Sequence, residues 1–321
     1  MTVLLLLMVL FWGTNYSVVK VMVRDLPPSA FNAVRLVVAS GVFLAMIAAS
    51  TTLRRRAPGV RNAIANLTPG GGSNLAFLRT SSRITPRDWL MLAGLGVVGQ
   101  FLYQLFFAEG VPRTSVANAS LILGCTPIIV SLTSAALGLE RLGLPHWIGI
   151  ALSAVGMYLV VGAGASMSGA TMTGDLLMLG CVICWTAYTL AGQPLLQRHS
   201  PLLVTGWSMA LGTLLYVPYS IPAVRTVDWS RVPAFVWIGT ILSALLALNV
   251  AYIIWYAAVQ RIGSARTSIY SNLVPIAATI TAAFWLGESI GGVKLVGAAL
   301  IITGLLITRV RRPAVTPPAC E

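Results

Sequence analysis

The feature that most constrains this chain is a series of long apolar runs joined by short connections. They cover approximately residues 3–22, 29–50, 88–108, 115–138, 145–163, 175–195, 202–221, 233–256, 265–286 and 291–309. About 20 apolar residues wound as a helix match the hydrocarbon thickness of a bilayer. The runs therefore predict an all-α integral membrane protein with ten transmembrane helices. Little of the 321-residue chain is left for a separate soluble domain. Only 9% of the residues are charged, against about 25% in soluble domains. A soluble enzyme, a disordered chain and a secreted disulfide scaffold are excluded on that ground.

The formal net charge is +13. In a membrane protein, basic residues hold loops on the cytoplasmic side, so the charge does not point to nucleic acid. With the N-terminus placed inside, the cytoplasmic loops and tail hold 14 basic residues and the opposite loops hold 4. Both termini are expected in the cytoplasm. The longest connection, 51–87, is rich in arginine, contains Gly70-Gly71-Gly72 and reads as a flexible cytoplasmic loop. The first run lacks a basic leader and a small-x-small cleavage site, and reads as a retained helix.

The chain also repeats itself. Pro127 precedes Glu140 by 13 residues, and Gly149 and Gly156 follow that glutamate by 9 and 16. Pro275, Glu288, Gly297 and Gly304 reproduce this spacing at an offset of 148. Upstream of the long loop the offset is 173, which aligns Trp12 with Trp185. Each unit contains five spans, so the second enters the membrane inverted. Inverted-topology repeats characterise secondary transporters, because two similar halves have two nearly equivalent arrangements, one open to each side. The expected units are 1–163, including the loop 51–87, and 164–312, with a cytoplasmic tail at 313–321.

These residues carry a family resemblance. Phe11-Trp12-Gly13-Thr14-Asn15 with Lys20, Arg35, Pro127 through Leu139-Glu140-Arg141, and Pro275 through Leu286-Gly287-Glu288 resemble the EamA-type transporters of the drug/metabolite transporter superfamily. The resemblance spans both halves apart from 51–87. It implies a secondary transporter in the cell (inner) membrane that exports small metabolites, amino acids among them.

Polar residues within a span face the bundle interior, since lipid cannot solvate them. Residues at helical spacing give Trp12, Asn15 and Tyr16 in span 1, and Gln100, Tyr103 and Gln104 in span 3. Trp185 and Tyr188 follow in span 6, Asn249 and Tyr252 in span 8, and Asn272 in span 9. Together they predict a central substrate cavity walled by spans 1, 3, 4, 6, 8 and 9. Its aromatic faces and amides suit neutral and aromatic amino acids, because an amide both donates and accepts. Drug-like cations or nucleobase-type metabolites are the alternative cargo. Arg35 is the one candidate for an anion clamp, and snorkelling or pairing is the simpler account of it.

All eight acidic residues fall at span ends or in loops. That leans toward facilitated or weakly coupled exchange rather than a buried proton carrier. Glu140 and Glu288 are read as caps of the helices that follow them. Pro127 and Pro275 lie within spans and are expected to act as symmetric hinges. Cys181 and Cys184 lie one helical turn apart and read as packing residues. No catalytic cluster, metal site or cofactor site is apparent. The expected partners are a small-molecule substrate and the lipid bilayer, with no nucleic acid. The sequence leaves oligomeric state open, and a monomer suffices.

Overall fold

A computed structural model describes residues 1–56, 84–113, 122–139, 142–161, 172–286 and 292–308. The described residues form ten helical segments that coincide with the ten apolar runs. They are α1 (Thr2–Met22), α2 (Pro28–Arg56), α3 (Pro86–Gly110), α4 (Ile122–Ala136), α5 (Leu144–Val161), α6 (Met172–Leu196), α7 (Pro201–Arg225), α8 (Ala234–Ile262), α9 (264–286) and α10 (Gly292–Thr308). Helices α1, α2, α3, α6, α7 and α8 are each long and apolar enough to cross a membrane, while α4, α5 and α10 carry shorter apolar stretches. Large apolar side chains such as Leu90, Leu214 and Phe284 point outward, as the bilayer-facing surface of a multi-pass protein requires.

The ends of the helices follow from local chemistry. Thr85 caps α3 as one half of a capping box: the Asp88 amide donates to Thr85 Oγ1 at 3.2 Å, and the Thr85 amide donates to Asp88 Oδ2 at 3.0 Å. Ser200 caps α7, with Pro201 in its first turn. Gly263 ends α8 at φ +86°, a conformation that favours glycine, and the chain turns there directly into α9. The sequence places a loop from residue 51, but α2 continues through Arg56 before the undescribed stretch begins. Glu140 and Glu288, read from the sequence as helix caps, lie outside the described residues.

Three helices depart from regular α geometry. A π stretch runs from Gly96 to Leu102 in α3, and another from Ala244 to Val250 in α8. Both are seven residues long and stand 148 positions apart, the offset of the sequence repeat. In α9 a 3-10 stretch, Ile269–Leu273, precedes a new helix at Val274–Leu286. The ladder of α4 breaks at Cys125, immediately before the helix Thr126–Ala136. Pro127 and Pro275 therefore both open the regular helix that follows an interruption, where a missing amide costs least.

The packing repeats as well. α1 packs on α8 and α9, while α6 packs on α3 and α4. α2 meets the π stretch of α8, and α7 meets that of α3. α2 also packs on α7, and α5 on α10. Exchanging the first five helices for the last five leaves this set of contacts unchanged. Glycine makes the closest crossings. A Cβ on Gly156 would lie 2.5 Å from the Gly297 carbonyl oxygen, and one on Gly304 would lie 2.5 Å from that of Gly149. Small residues at such crossings let backbones approach directly. Gly96 and Gly99 are likewise covered, by α7 backbone and by the Tyr188 ring, whereas Gly94 faces open space.

A buried polar cluster ties the start of α3 to the α6–α7 turn. Asp88 has no exposed side-chain surface; it pairs with Arg198 at 2.7 Å and with His199 Nε2 at 3.2 Å. The carboxylate thus serves as both helix cap and anchor.

Candidate functional site

The middle of the bundle is aromatic. Trp12 on α1 meets Trp185 on α6 edge-on, with ring centroids 5.4 Å apart, and Trp255 on α8 at 5.5 Å. Trp185 contacts Tyr103, Tyr252 and Trp255 at 5.4, 5.2 and 5.2 Å. Edge-to-face and tilted pairs at these distances suit the aromatic quadrupole and make a stiff box. The indole N–H of Trp12 donates to the Ala247 carbonyl oxygen at 3.0 Å. Ala247 lies in the α8 π stretch, where the wider turn leaves carbonyl groups available to partners outside the helix.

One side of this box opens into a cleft. Its wall includes Trp12, Asn15, Tyr16, Tyr103, Gln104 and Trp185. Tyr252 closes one flank, and Ser271, Val274 and Pro275 of α9 close another. Leu123, Gly124 and Thr126 line it from the α4 interruption. The enclosed space within the cleft is about 110 Å³, and the rest of it is open at the mouth. Asn15 Oδ1 accepts a hydrogen bond from Ser243.

The other side of the box is closed. Tyr188 and Tyr256 stack with centroids 4.8 Å apart and planes 19° from parallel. The Tyr256 hydroxyl donates to the Tyr188 carbonyl oxygen at 2.7 Å, and the Trp255 indole donates to Thr189 at 3.2 Å. Tyr188 lies flat on Gly99, where a Cβ would stand 2.1 Å from its ring.

Seven of the eleven predicted cavity residues therefore share the cleft wall: Trp12, Asn15, Tyr16, Tyr103, Gln104, Trp185 and Tyr252. Gln100, Tyr188, Asn249 and Asn272 do not line it and are buried in packing. Gln100 packs against Gly212 of α7, and the Asn249 amide donates to the Ala39 carbonyl oxygen at 2.9 Å. The cause is geometric. Gln100 and Asn249 lie inside the two π stretches, and Asn272 lies inside the 3-10 stretch. A π turn holds more residues than an α turn and a 3-10 turn holds fewer. Spacing counted at 3.6 residues per turn therefore does not carry evenly through these stretches.

Sequence reasoning gave Arg35 a peripheral part and missed other wall residues. Arg35 of α2 lines the cleft and is only 3% exposed, so it does not reach for the interface. Leu248, Leu123 and Thr126 complete the wall without any polar or aromatic stripe to signal them.

Among the described residues the carboxylates, histidines and cysteines lie off the cleft wall. Glu109 pairs with Arg113 and accepts from Tyr219 at 3.3 Å, outside the cleft. Cys181 is buried and donates to the Tyr103 carbonyl oxygen at 3.6 Å. Among the described residues no three His, Cys, Asp or Glu side chains gather as a metal site would require. The cleft wall sets indole and phenol rings beside two amides and one guanidinium, groups that can contact both an apolar body and polar ends.

Known proteins place this architecture. A crystal structure superposes on the chain with a TM-score of 0.72 at 18% identity, covering 96% of each chain, and so shares its fold. A probable amino-acid metabolite efflux pump of Salmonella typhimurium is 27% identical, over 97% of this chain and 96% of its own length. A probable terminal-alkyne amino-acid exporter of Streptantibioticus cattleyicolor is 29% identical, over 72% of this chain and 78% of its own. The model of the EamA-like transporter family matches residues 1–65, 59–162 and 172–310. A helical bundle with a lipid-facing surface, an aromatic cleft at its centre and that match over nearly its whole length belongs to the EamA-like transporter family.

Proposed function

We propose that this metabolite exporter carries neutral amino acids, aromatic ones foremost, by alternating access between the two sides of the bacterial inner membrane. Ten spans form two inverted five-helix repeats, 1–163 and 164–312, and the tail 313–321 and the N-terminus both lie in the cytoplasm. Several observations support the architecture. The family model matches the two halves in separate stretches. The π stretches and the glycine crossings recur at the same 148-residue offset. The main helix pairings, α1 on α8 and α9, α6 on α3 and α4, α2 on α7 and α5 on α10, are unchanged when the halves are exchanged. The 14-to-4 excess of basic residues supports the orientation.

The single observation that carries the substrate reading is the cleft wall. It combines Trp12, Trp185 and Tyr252 with the amides Asn15 and Gln104. Aromatic faces hold an apolar body, and amide oxygens accept from an ammonium group. With the termini inside, Asn15, Tyr16, Tyr103, Gln104 and Arg35 belong to the outer halves of their helices. The cleft then opens outward, and the Tyr188–Tyr256 stack with Trp255 forms the closed cytoplasmic floor. Return to the inward state needs the floor to part and α4 and α9 to swing across the mouth. Their interruptions beside Pro127 and Pro275 are the hinges for that movement. No carboxylate lines the cleft among the described residues, which favours exchange independent of a proton gradient.

Counterflow in proteoliposomes tests this reading. Vesicles preloaded with one unlabelled amino acid should take up labelled phenylalanine or leucine, saturably and at zero pH gradient. Absence of counterflow for every amino acid, with and without an imposed pH gradient, refutes it.

A further inference from the structure

Arg35 stands out as a buried charge that the fold does not use. It lies in α2 and lines the cleft, and 3% of its surface is exposed. A guanidinium offers five donors in a planar fork. Here one of them, on Nη1, reaches the neutral Asn32 Oδ1 at 3.2 Å, and the group sits 5.2 Å from the centre of the Phe31 ring. The Nε donor is buried and unsatisfied. Asp88 is joined to Arg198 and His199, Glu109 to Arg113, and Asp228 to Arg231. Among the described residues no carboxylate pairs with Arg35. An uncompensated cation in a membrane interior is strongly unfavourable, and such residues mark the path of a substrate or ion.

We propose that Arg35 is the anion-binding residue of the cleft and that the cargo presents it with a carboxylate. This rests on the reading of the cleft as the transport site and sharpens it to a substrate class. A carboxylate matches the guanidinium fork with two parallel charge-assisted bonds. The fork needs acceptors, and a carboxylate supplies two with the charge the site lacks. The rest of the molecule then lies among Trp12, Trp185 and Tyr252, with Asn15 and Gln104 placed for an amino group. One cationic side chain suits one negative charge. A positively charged amine without a carboxylate meets Arg35 with like charge and leaves its fork empty, so the alternative cargo of drug-like cations is disfavoured by the same residue.

The test uses the purified full-length protein and three ligands of one shape: phenylalanine, 3-phenylpropionate, which lacks the amino group, and phenethylamine, which lacks the carboxylate. Binding is followed by quenching of tryptophan emission and transport by counterflow. The parent should bind both carboxylates at least about tenfold more tightly than phenethylamine. Arg35→Gln should weaken the carboxylates about tenfold or more and leave phenethylamine unchanged or improved. Arg35→Lys, which keeps the charge and loses the fork, should fall between.

Equal binding of phenethylamine and 3-phenylpropionate by the parent overturns the proposal without needing any variant to fold. Equal weakening of all three ligands in Arg35→Gln also overturns it and makes Arg35 structural. Binding of none of the three overturns it together with the amino-acid reading. The two ideas separate cleanly. A parent that takes 3-phenylpropionate and refuses every amino acid refutes the cargo while keeping the carboxylate site. A parent that exchanges phenylalanine, with Arg35→Gln doing so equally well, keeps the cargo and removes the site.

Discussion

Replacing a single hydrogen on Gly304 with a methyl group should loosen the α5–α10 pair, and the geometry sets the scale. The new Cβ would stand 2.5 Å from the Gly149 carbonyl oxygen and 2.4 Å from Ser153 Oγ. The serine hydroxyl can rotate away, but the carbonyl belongs to helix backbone. Ordinary contact starts at 3.4 Å, so the helices must part by the difference, 3.4 − 2.5 = 0.9 Å. Overpacking of that kind costs about 1–3 kcal/mol. Gly156→Ala makes the mirror clash with the Gly297 carbonyl at 2.5 Å and should cost a similar amount. Because both methyls push the same two backbones apart, the double variant should lose less than the sum of the singles. Gly94→Ala is the internal control: a Cβ there meets nothing within 4 Å, and alanine favours the helix. The assay is thermal unfolding in detergent, followed by size exclusion after heating. Gly304→Ala and Gly156→Ala should each melt several degrees below the parent, and Gly94→Ala should not. If Gly304→Ala melts with Gly94→Ala, the crossing is not close-packed through glycine.

Other outcomes follow from the cleft and its frame. Trp12→Ala and Trp185→Ala each remove part of the aromatic box and should cut transport about tenfold or more while the protein still inserts; parental counterflow in both variants would show that the cargo does not sit there. Pro127→Ala and Pro275→Ala restore an amide at each interruption and should lower turnover more than they weaken binding, and parental turnover in both removes the hinge assignment. Asp88→Asn keeps the Thr85 cap but loses its charged contacts with Arg198 and His199. With Arg198 nearly half exposed, the expected loss is about 1–3 kcal/mol, seen as a lower melting temperature, and an unchanged one would mean the cluster is not an anchor.

The ten helical segments were legible in the sequence because hydropathy over twenty residues overrides local propensity. The prolines and glycines carry a 148-residue spacing in the sequence, and the two π stretches stand at the same spacing. What escaped was helix pitch. Nothing in Gly96–Leu102 or Ala244–Val250 announces a π turn, yet those turns move Gln100 and Asn249 away from the cleft. Asn272, in the 3-10 stretch of α9, is off the wall, while Ser271 beside it lines the wall. Tyr188 was misplaced for another reason: its size is spent covering Gly99 beneath the box. Arg35 was named in the sequence but given a peripheral part, because only packing shows that its guanidinium is buried and its Nε donor unmet.

The glycine contact between α5 and α10 also fixes how the two helices can move. Gly156 receives a carbonyl from Gly297, and Gly304 receives one from Gly149. Each helix offers its neighbour what the neighbour offers it, which is the self-complementary pattern of a two-fold dimer interface written within one polypeptide. A slide of one helix along the other opens both crossings at once, so the pair is held in register at two points and travels as a single body.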